Sequence, residues 1–464
     1  MIRTLMLAAA MLLLAPLPAA AQSISQDALQ EHYDRALAAG YQALFLCSAI
    51  GNAERNGATR DEEHVATWEL TGIQAPLDDI VGELPYQVLR YSGMSEQIDG
   101  MLSHVAVGWA EDMPPRIAYT HFNGCSLAAI GAGLPERRQI PRPVGSVDQG
   151  WSVDDSVLVG DDVMALVQGA FGDTYGADAR TSAILVLKDG QIVREDYAPG
   201  FGPDVPQRTW SVAKSIAATL IGSAVQRGLV SVDDSAGLGL GEGDPRALIT
   251  VDHALRMATG RYSDTPGNRT DPLYFGGATV EERATQWPLV HAPGSMWRYA
   301  NNDTLVAVRA IQESFVIYPP SAFFRDAAML HTVAETDWQG GYILSSQVWT
   351  TARDLARLGQ LHLDDGVLPD GTRLLPEGWA DYVSAASGPQ PEGRGLGYGA
   401  GWWLFNDHEG VPADTYAAQG NRGQYVVVVP SENVVIVRRG EDPAGGSGFD
   451  IQAFTADVLA ALAE

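Results

Sequence analysis

Ser211 and Lys214 lie three residues apart in the stretch RTWSVAKSIAATLIGSAVQRG, residues 208–228. The chain has only two lysines, Lys188 and Lys214, among its 30 basic residues, so arginine is used almost everywhere else. A serine hydroxyl becomes an effective nucleophile only when a base takes its proton. A buried lysine can be that base because desolvation lowers its pKa, whereas arginine stays protonated. The spacing therefore predicts a lysine-activated serine nucleophile.

The segment around these two residues is predicted to be a largely buried helix. Val212, Ala213 and Ile216 are apolar, as are most residues that follow. Residues i and i+3 share one face of a helix, so the serine and the lysine would meet. In the first helical turn, free backbone N–H groups and the positive helix end favour a developing oxyanion. The alternative is a surface lysine on an ordinary helix.

A second candidate site is the tripeptide Tyr299-Ala300-Asn301 within PGSMWRYANNDTLVAV. A phenol near Ser211 and Lys214 can relay a proton to a leaving group and later activate water. Asn301 is predicted to hold either a substrate carbonyl or the lysine. A packed core tyrosine is the alternative for Tyr299. Which of Lys214 and Tyr299 is the base in each half-reaction is left open.

The elements around these residues predict an α/β (α+β) fold. TSAILVLKDGQIVREDY consists of two β-rich runs joined by Asp189-Gly190, a strong hairpin signal, with Lys188 exposed at the turn. GQYVVVVPSENVVIVRRG forms a second hairpin, and residues 245–390 are mainly helical. The chain ends in an amphipathic helix. We therefore expect one antiparallel sheet flanked by helices, completed from both ends of this region, with a helical insertion between.

Ser211-Val-Ala-Lys214 followed by Tyr299-Ala-Asn301 resembles the serine β-lactamase-related superfamily. This group includes class C β-lactamases, penicillin-binding proteins, esterases and 6-aminohexanoate-dimer hydrolases, and the likeness covers about residues 178–464. Further matching phrases are ITVDHALRMATG, WTTARDLARLG, YGAGWWLF and GQYVVVVPSENVVIVRRG. The resemblance implies an α/β sheet domain with an all-helical insertion and acyl-enzyme hydrolysis at Ser211. The N-terminal region is similar to the extension on some secreted members nearest the 6-aminohexanoate-dimer hydrolases.

One departure from the family pattern bears on the substrate. Where the pattern has Lys-Thr-Gly or His-x-Gly on a strand beside the site, this chain has Ala418-Gln419-Gly420, followed by Asn421. The glycine still allows close approach of the strand. The resemblance then implies an oxyanion hole from the backbone N–H groups of Ser211 and Asn421, with Asn301, Gln419 and Gly420 contacting the substrate.

The missing basic residue favours an esterase, or an amidase like the 6-aminohexanoate-dimer hydrolases, for small acyl groups. A β-lactamase or D-alanyl peptidase is the second enzyme alternative. A non-catalytic binding protein on the same fold is a third. Arg422 follows directly, but it is expected to point to the opposite face of the strand and not to replace the missing cation.

Residues 1–21 have the pattern of a secretory signal peptide, MIRTLMLAAAMLLLAPLPAAA. We divide the remainder into an N-terminal extension, 22–155, and a catalytic domain, 156–464. In an oxidising compartment the only two cysteines, Cys47 and Cys125, predict one disulfide, with two free thiols as the alternative. These features predict a secreted or periplasmic protein.

The formal net charge of −27 argues against nucleic acid or anionic membranes as partners. The nine histidines show no metal-binding spacing, so no metal and no cofactor are predicted. The expected partner is a small ester or amide substrate, with the oligomeric state unknown. Tyr262 and Asp264 on an overhanging loop are weaker substrate-binding candidates, with an ordinary surface loop as the alternative. Trp402 and Trp403 are expected in the core, with lining of the cleft as the alternative.

Overall fold

The computed structural model describes residues 23–136, 139, 141, 143–144, 161–263, 270–393, 395–405 and 407–463. The predicted signal peptide, most of residues 135–160 and the predicted boundary between residues 155 and 156 lie outside the described residues. So does Asp264.

The N-terminal extension is built around one long helix, α1, Gln26–Arg55. Ser25 caps it, because its hydroxyl accepts from the Ala28 amide at 3.2 Å. Two short helices follow, and α1 packs on a four-stranded antiparallel sheet in the order β1-β2-β3-β4. The elements are α2 (Glu62–Trp68), α3 (Leu77–Val81), β1 (Tyr86–Arg90), β2 (Leu102–Val107), β3 (Arg116–His121) and β4 (Gly124–Leu127).

The helical start of the extension is confirmed, but the sequence did not predict its sheet. Nearly every residue of β3 and every residue of β4 is buried, so the sequence lacks the polar alternation that marks a half-exposed strand. The predicted disulfide is present between Cys47 of α1 and Cys125 of β4. It therefore ties the helix to the strand at the far end of the sheet.

Helix α1 is the one helix among the described residues that is long and apolar enough to cross a membrane. Its most apolar 18-residue window is 94% buried inside the protein. Ala38, Phe45 and Ile50 are fully covered. The apolar composition of α1 is thus used in the core of the fold.

The catalytic region contains a seven-stranded antiparallel sheet in the order β10-β11-β12-β13-β14-β5-β6. Strand β14 pairs with β5, so the sheet is completed from both ends of the region, as predicted. Asp189 and Gly190 join β5 to β6 with positive φ angles of 52° and 77°, which confirms the predicted hairpin. The strands are β5 (Thr181–Lys188), β6 (Gln191–Tyr197), β10 (Gly397–Tyr398), β11 (Trp403–Leu404), β12 (Tyr416–Gly420), β13 (Gln424–Val429) and β14 (Val434–Gly440).

Both faces of this sheet are covered by helices. Ile184 and Val186 of β5 pack toward α4 (Asp161–Ala170) and α14 (Ile451–Leu462). Leu185 and Leu187 lie in the other core with α5 (Val212–Gln226) and α12 (Ala352–Leu363). Successive strand residues point to opposite faces, so a continuous apolar run fits a strand that is buried on both sides.

A mainly helical insertion lies between β6 and β10, as predicted. Within it the two short strands β8 and β9 pair with β7 to form a small sheet, order β7-β9-β8, that the sequence did not predict. These strands are only two or three residues long, too short to give a period. The remaining elements are β7 (Gln207–Arg208), β8 (Val333–Ala334), β9 (Val348–Thr350), α6 (Val251–Leu255), α7 (Asp271–Tyr274), α8 (Val280–Thr285), α9 (Asn301–Ala310), α10 (Ser314–Ile317), α11 (Pro320–Asp326) and α13 (Trp379–Ser384), with 3-10 turns at Pro245–Leu248 and Pro430–Glu432.

Candidate active site

Ser211 is the N-cap of the buried helix α5, one position before its first helical residue. The chain turns sharply into the helix through Trp210, whose φ is 49°. A non-glycine residue in this conformation costs roughly 1–3 kcal/mol and persists only where its surroundings hold it. Trp210 is buried, and the guanidinium of Arg208 lies 4.0 Å from its ring centroid. These contacts fix the turn that presents Ser211.

Lys214 lies one helical turn after Ser211 and is 1% exposed. Its Nζ donates to Ser211 Oγ at 2.9 Å, to Asn301 Oδ1 at 2.7 Å and to the Ser345 carbonyl oxygen at 2.9 Å. The three N–H groups of an ammonium thus have three partners. Asn301 Oδ1 and the carbonyl can only accept, whereas the serine hydroxyl can also donate. When the amine is neutral, its lone pair is therefore directed at the Ser211 hydroxyl.

Burial lowers the pKa of Lys214 from its usual 10.5 to about 7. Desolvation is the cause, because it disfavours the charged amine. A base with a pKa near 7 is substantially neutral at neutral pH and still basic enough to accept a proton. The position of Lys214 and its lowered pKa thus both fit the predicted role of a base.

Tyr299 lies over this lysine, with its ring centroid 5.0 Å from Nζ. Its ring stacks on Trp403 with centroids 5.5 Å apart and meets Tyr398 edge-on at 6.1 Å. The segment before α9 is held by Met257, whose sulfur accepts from the Ala300 amide at 3.5 Å. The half-buried tyrosine is thus part of an aromatic cluster and lies next to the buried amine.

Asn301 is the first residue of α9 and joins that helix to the lysine. Its Oδ1 accepts from Lys214, and its Nδ2 donates to Thr270 Oγ1 at 2.9 Å. Of its two predicted roles, the geometry favours the one that holds the lysine. Contact between Asn301 and a substrate stays a prediction.

Gly420, at the end of β12, lies directly against the turn at Ser211. A Cβ added to Gly420 would overlap the Thr209 carbonyl oxygen and lie 3.1 Å from the Ser211 amide nitrogen. The next residue, Asn421, is exposed in the turn to β13. The strand predicted to line the site does so, and the oxyanion role of the Asn421 amide stays a prediction.

Gln419 immediately precedes this glycine, is half-buried and pairs with Tyr425 across the sheet. Its substrate contact likewise stays a prediction. Arg422 does not enter the site, because its guanidinium is buried against Glu441 on the other side of the turn, with Nε 2.6 Å from Oε2. It therefore does not replace the missing cation.

The weaker candidates from the sequence lie at the surface or in the packed interior. Tyr262 is 49% exposed, with its ring 6.2 Å from that of Trp287. Trp402 is fully buried, as expected of a core residue. Trp403 is also buried but belongs to the aromatic cluster at Tyr299. Lys188 is at the surface and donates to the Glu432 carbonyl at 2.5 Å, so it is not part of the site.

Sequence reasoning missed the Ser345 carbonyl, the Thr270 hydroxyl and Met257. The first is a backbone atom, which leaves no signal in the residue type. Ser345 itself is held by a hydrogen bond of 2.6 Å between its Oγ and the Tyr274 hydroxyl. The paired serines of YILSSQ, inside an otherwise apolar stretch, were the one available hint.

A sequence model of the Beta-lactamase family matches residues 170–315 and 310–439, more than half of the chain. The 6-aminohexanoate-dimer hydrolase of Paenarthrobacter ureafaciens is 26% identical over 304 residues, which are 56% of this chain and 72% of that protein. Penicillin-binding protein 4 of Amycolatopsis lactamdurans is 40% identical over only 98 residues, 19% of this chain and 24% of that protein.

Among solved structures, the octameric penicillin-binding protein homologue from Pyrococcus abyssi superposes with a TM-score of 0.50 and 16% identity. The match covers 65% of this chain and 76% of that one. At this identity the likeness shows the fold alone. It supports the mixed α/β architecture with an antiparallel sheet described above.

The family match and the fold place this chain among proteins of the β-lactamase type, whose members are serine hydrolases. The chain belongs to the Beta-lactamase family. The resemblance inferred from Ser211-Val-Ala-Lys214 and Tyr299-Ala-Asn301 is therefore confirmed at the level of the family.

Proposed function

We propose that this protein is an exported serine hydrolase that cleaves a small ester or amide through an acyl-enzyme on Ser211. One observation carries the proposal. Lys214 Nζ has three hydrogen-bond partners among the described residues, and of these three only the Ser211 hydroxyl, at 2.9 Å, has a proton to give. A buried amine that faces one hydroxyl and two pure acceptors is arranged to take the proton of that hydroxyl.

In the acylation step, Lys214 takes the Oγ proton while Oγ forms a bond to the substrate carbonyl carbon. The carbonyl π electrons move to oxygen, where the amides of Ser211 and Asn421 are proposed to stabilise the charge. Collapse of this intermediate breaks the bond to the leaving alcohol or amine. That group takes a proton from Tyr299 or, through it, from Lys214. Water then repeats the sequence on the acyl-enzyme and restores Ser211.

The strand beside the site offers no basic side chain to a carboxylate on the substrate. Ala418 occupies the position of the lysine in the family pattern, and it is fully buried. Arg422 is paired with Glu441 and directed away. Neither residue can pair with a carboxylate on the substrate. An ester or amide that needs no pairing of a carboxylate with this strand is the substrate class that fits, and the similarity to a 6-aminohexanoate-dimer hydrolase supports an amide as one member.

Export is proposed from the signal-peptide pattern of residues 1–21 and the Cys47–Cys125 disulfide. The charge of −27 is unsuited to nucleic acid or anionic membranes, so the proposed partner is a small molecule alone. No cofactor is required by the chemistry above.

A β-lactamase or D-alanyl peptidase activity is the second candidate. It is favoured by the 40% identity to penicillin-binding protein 4 over 98 residues. It is opposed by Ala418, because the basic group that pairs with the carboxylate of such substrates is missing from this strand.

A substrate panel tests these assignments. Wild type and Ser211→Ala are compared on p-nitrophenyl esters of increasing acyl length, on the 6-aminohexanoate dimer and on nitrocefin. We expect turnover of short esters that disappears in Ser211→Ala, with nitrocefin hydrolysed least. Nitrocefin as the best substrate would favour the second candidate, and turnover retained by Ser211→Ala would exclude Ser211 as the nucleophile.

A further inference from the structure

The turn between β12 and β13 consists of Asn421, Arg422 and Gly423, and it follows directly on the glycine that touches the Ser211 turn. Arg422 has a φ of 58° and Gly423 a φ of 77°. Left-handed backbone at an arginine is unfavourable and is kept only where other contacts impose it. The site-side position of Asn421 therefore depends on whatever holds Arg422.

The Arg422 side chain is 4% exposed and is held by both parts of the protein. On the catalytic side, Nε donates to Glu441 Oε2 at 2.6 Å. On the extension side, Nη1 donates to the Gly72 carbonyl at 2.9 Å, and Nη2 donates to the carbonyls of Thr71 at 2.8 Å and Trp68 at 2.9 Å. One guanidinium thus joins the active-site turn to a loop about 350 residues earlier in the chain.

The chemistry of this loop matches a guanidinium. Helix α2 ends at Trp68, and the last carbonyls of a helix lack partners within the helix and carry its negative end. The planar guanidinium presents five donors in a fixed fork, so it can serve several carbonyls and a carboxylate at once. A lysine ammonium, with three donors at one point, cannot span the same set.

The backbone of the turn is held on the domain side as well. The Arg422 carbonyl accepts from the Asp442 amide at 3.2 Å, and the Gly423 carbonyl accepts from Arg438 Nη1 at 2.8 Å. Arg438 in turn donates to both carboxylate oxygens of Asp442, at 2.8 Å and 2.7 Å. The catalytic domain therefore fixes one side of the β12–β13 turn, and the N-terminal extension contacts this turn through Arg422.

We propose that Arg422 is a positioning residue through which the N-terminal extension holds the β12–β13 turn, and with it the Asn421 amide, beside Ser211. The catalytic consequence rests on the proposed function, because it assumes that the Asn421 amide binds the oxyanion. The extension then forms a structural part of the active site although it supplies no reacting group.

The test compares Arg422→Lys with Arg116→Lys. The first variant keeps a positive charge beside Glu441 but loses most of the carbonyl contacts. The control replaces another buried arginine of the extension that also binds backbone carbonyls. Arg116 Nη1 donates to the Ala36 carbonyl at 2.8 Å and Nη2 to the Ala128 carbonyl at 3.3 Å, and among the described residues no hydrogen bond joins Arg116 to the turn. Hydrogen exchange of the turn amides and kcat per Ser211 titrated with fluorophosphonate are measured for both.

We expect the amides of residues 420–424 to exchange at least about tenfold faster in Arg422→Lys and to be unchanged in Arg116→Lys. We also expect kcat to fall at least about tenfold in Arg422→Lys, with KM within about threefold and the pH midpoint unchanged, because misplacement of one oxyanion donor acts on the transition state. Should Arg422→Lys not fold, the Arg422→Gln/Glu441→Gln double variant removes both buried charges together and serves the same comparison.

Unchanged exchange in the turn would overturn the inference, whatever the activity. Faster exchange with a wild-type kcat would overturn its catalytic part. A wild-type protein that neither labels nor turns over any ester contradicts the proposed function, and the exchange comparison then decides by itself whether Arg422 holds the turn.

Discussion

At the residue scale, the lysine amine is the group on which the account depends. Its three described hydrogen-bond partners can all accept from an ammonium. Burial nevertheless favours the neutral amine, and of these three partners only the Ser211 hydroxyl can then donate a proton to it. Burial lowers the pKa of Lys214 only to about 7, so the amine is partly neutral at neutral pH and still basic enough to accept a proton. The same burial excludes the water that would compete for it. Arginine offers neither property, which explains why this position keeps a lysine in a chain that uses arginine elsewhere.

The first prediction concerns pH. Because Lys214 must be neutral to accept a proton, and its pKa is lowered to about 7, kcat/KM should rise as pH increases through about 7 and then level off. A pH series from 5 to 9 with a short p-nitrophenyl ester measures this. A rate that stays flat across the series, or that falls as pH rises through 7, would contradict a neutral lysine as the base.

The second prediction concerns Tyr299. Tyr299→Phe keeps the stack on Trp403 but removes the hydroxyl, so proton delivery to the leaving group should suffer. We expect kcat to fall about 10²-fold or more for an alkyl ester or an amide, and much less for a p-nitrophenyl ester, whose leaving group needs no proton. Tyr398→Phe, in the same cluster, is the control. Equal losses on both substrate types would argue against an acid role.

At the element scale, the site is made where the start of a helix, the start of a second helix and the end of a strand meet. Helix α5 brings Ser211 and Lys214, α9 brings Asn301, and β12 brings Gly420. The closeness of strand and helix is a packing property, since Gly420 lies against the backbone of Thr209 and Ser211. Each element therefore contributes a different part of the candidate site.

The third prediction tests the close approach of β12 to the backbone at Ser211. In Gly420→Ala the added methyl would overlap the Thr209 carbonyl, so β12 must move away from Ser211. We expect kcat/KM to fall about 10²-fold or more, because small misplacements at a reacting centre are costly. Gly82→Ala is the matched control, since a Cβ there meets nothing within 4 Å and φ is −71°. Full activity in Gly420→Ala would contradict a role for this strand in the site.

How far the sequence predicted these elements depends on the kind of signal each one leaves. The hairpin at Asp189-Gly190 and the Ser211 helix were predicted because turn residues and apolar runs are local features. The sheet of the extension was not, because β3 and β4 are buried nearly throughout and lack alternation. The contact of the Ser345 carbonyl with Lys214 and the contacts of the 68–72 carbonyls with Arg422 were not predicted either. They involve backbone groups that only the fold brings together.

At the scale of the whole molecule, the extension and the catalytic region share one buried interface. Glu335, fully buried, accepts from the Cys125 amide at 2.9 Å, from Asn52 Nδ2 at 3.2 Å and from Trp349 Nε1 at 3.1 Å. Burial raises the pKa of this carboxyl to about 7, and these donors offset part of that cost. The carboxyl lies at the disulfide, where both parts of the chain meet.

The fourth prediction concerns that disulfide. Cys47 and Cys125 are separated by 78 residues, so their bond restricts a long loop of the unfolded chain. We expect the Cys47→Ala/Cys125→Ala double variant to lose about 4 kcal/mol of stability, seen as a lower urea midpoint. Its activity per titrated Ser211 should be unchanged, because neither cysteine belongs to the site. A midpoint equal to wild type would contradict this role of the disulfide.

The central claim, a lysine-activated Ser211, is tested most directly by intact-protein mass after incubation with a fluorophosphonate. Wild type, Ser211→Ala, Lys214→Arg and the surface control Lys188→Arg are compared while folded. We expect one adduct on wild type and on Lys188→Arg, and none on Ser211→Ala or Lys214→Arg. Labelling that survives Ser211→Ala would identify a different nucleophile, and a folded wild type that stays unlabelled would favour a binding protein on the same fold.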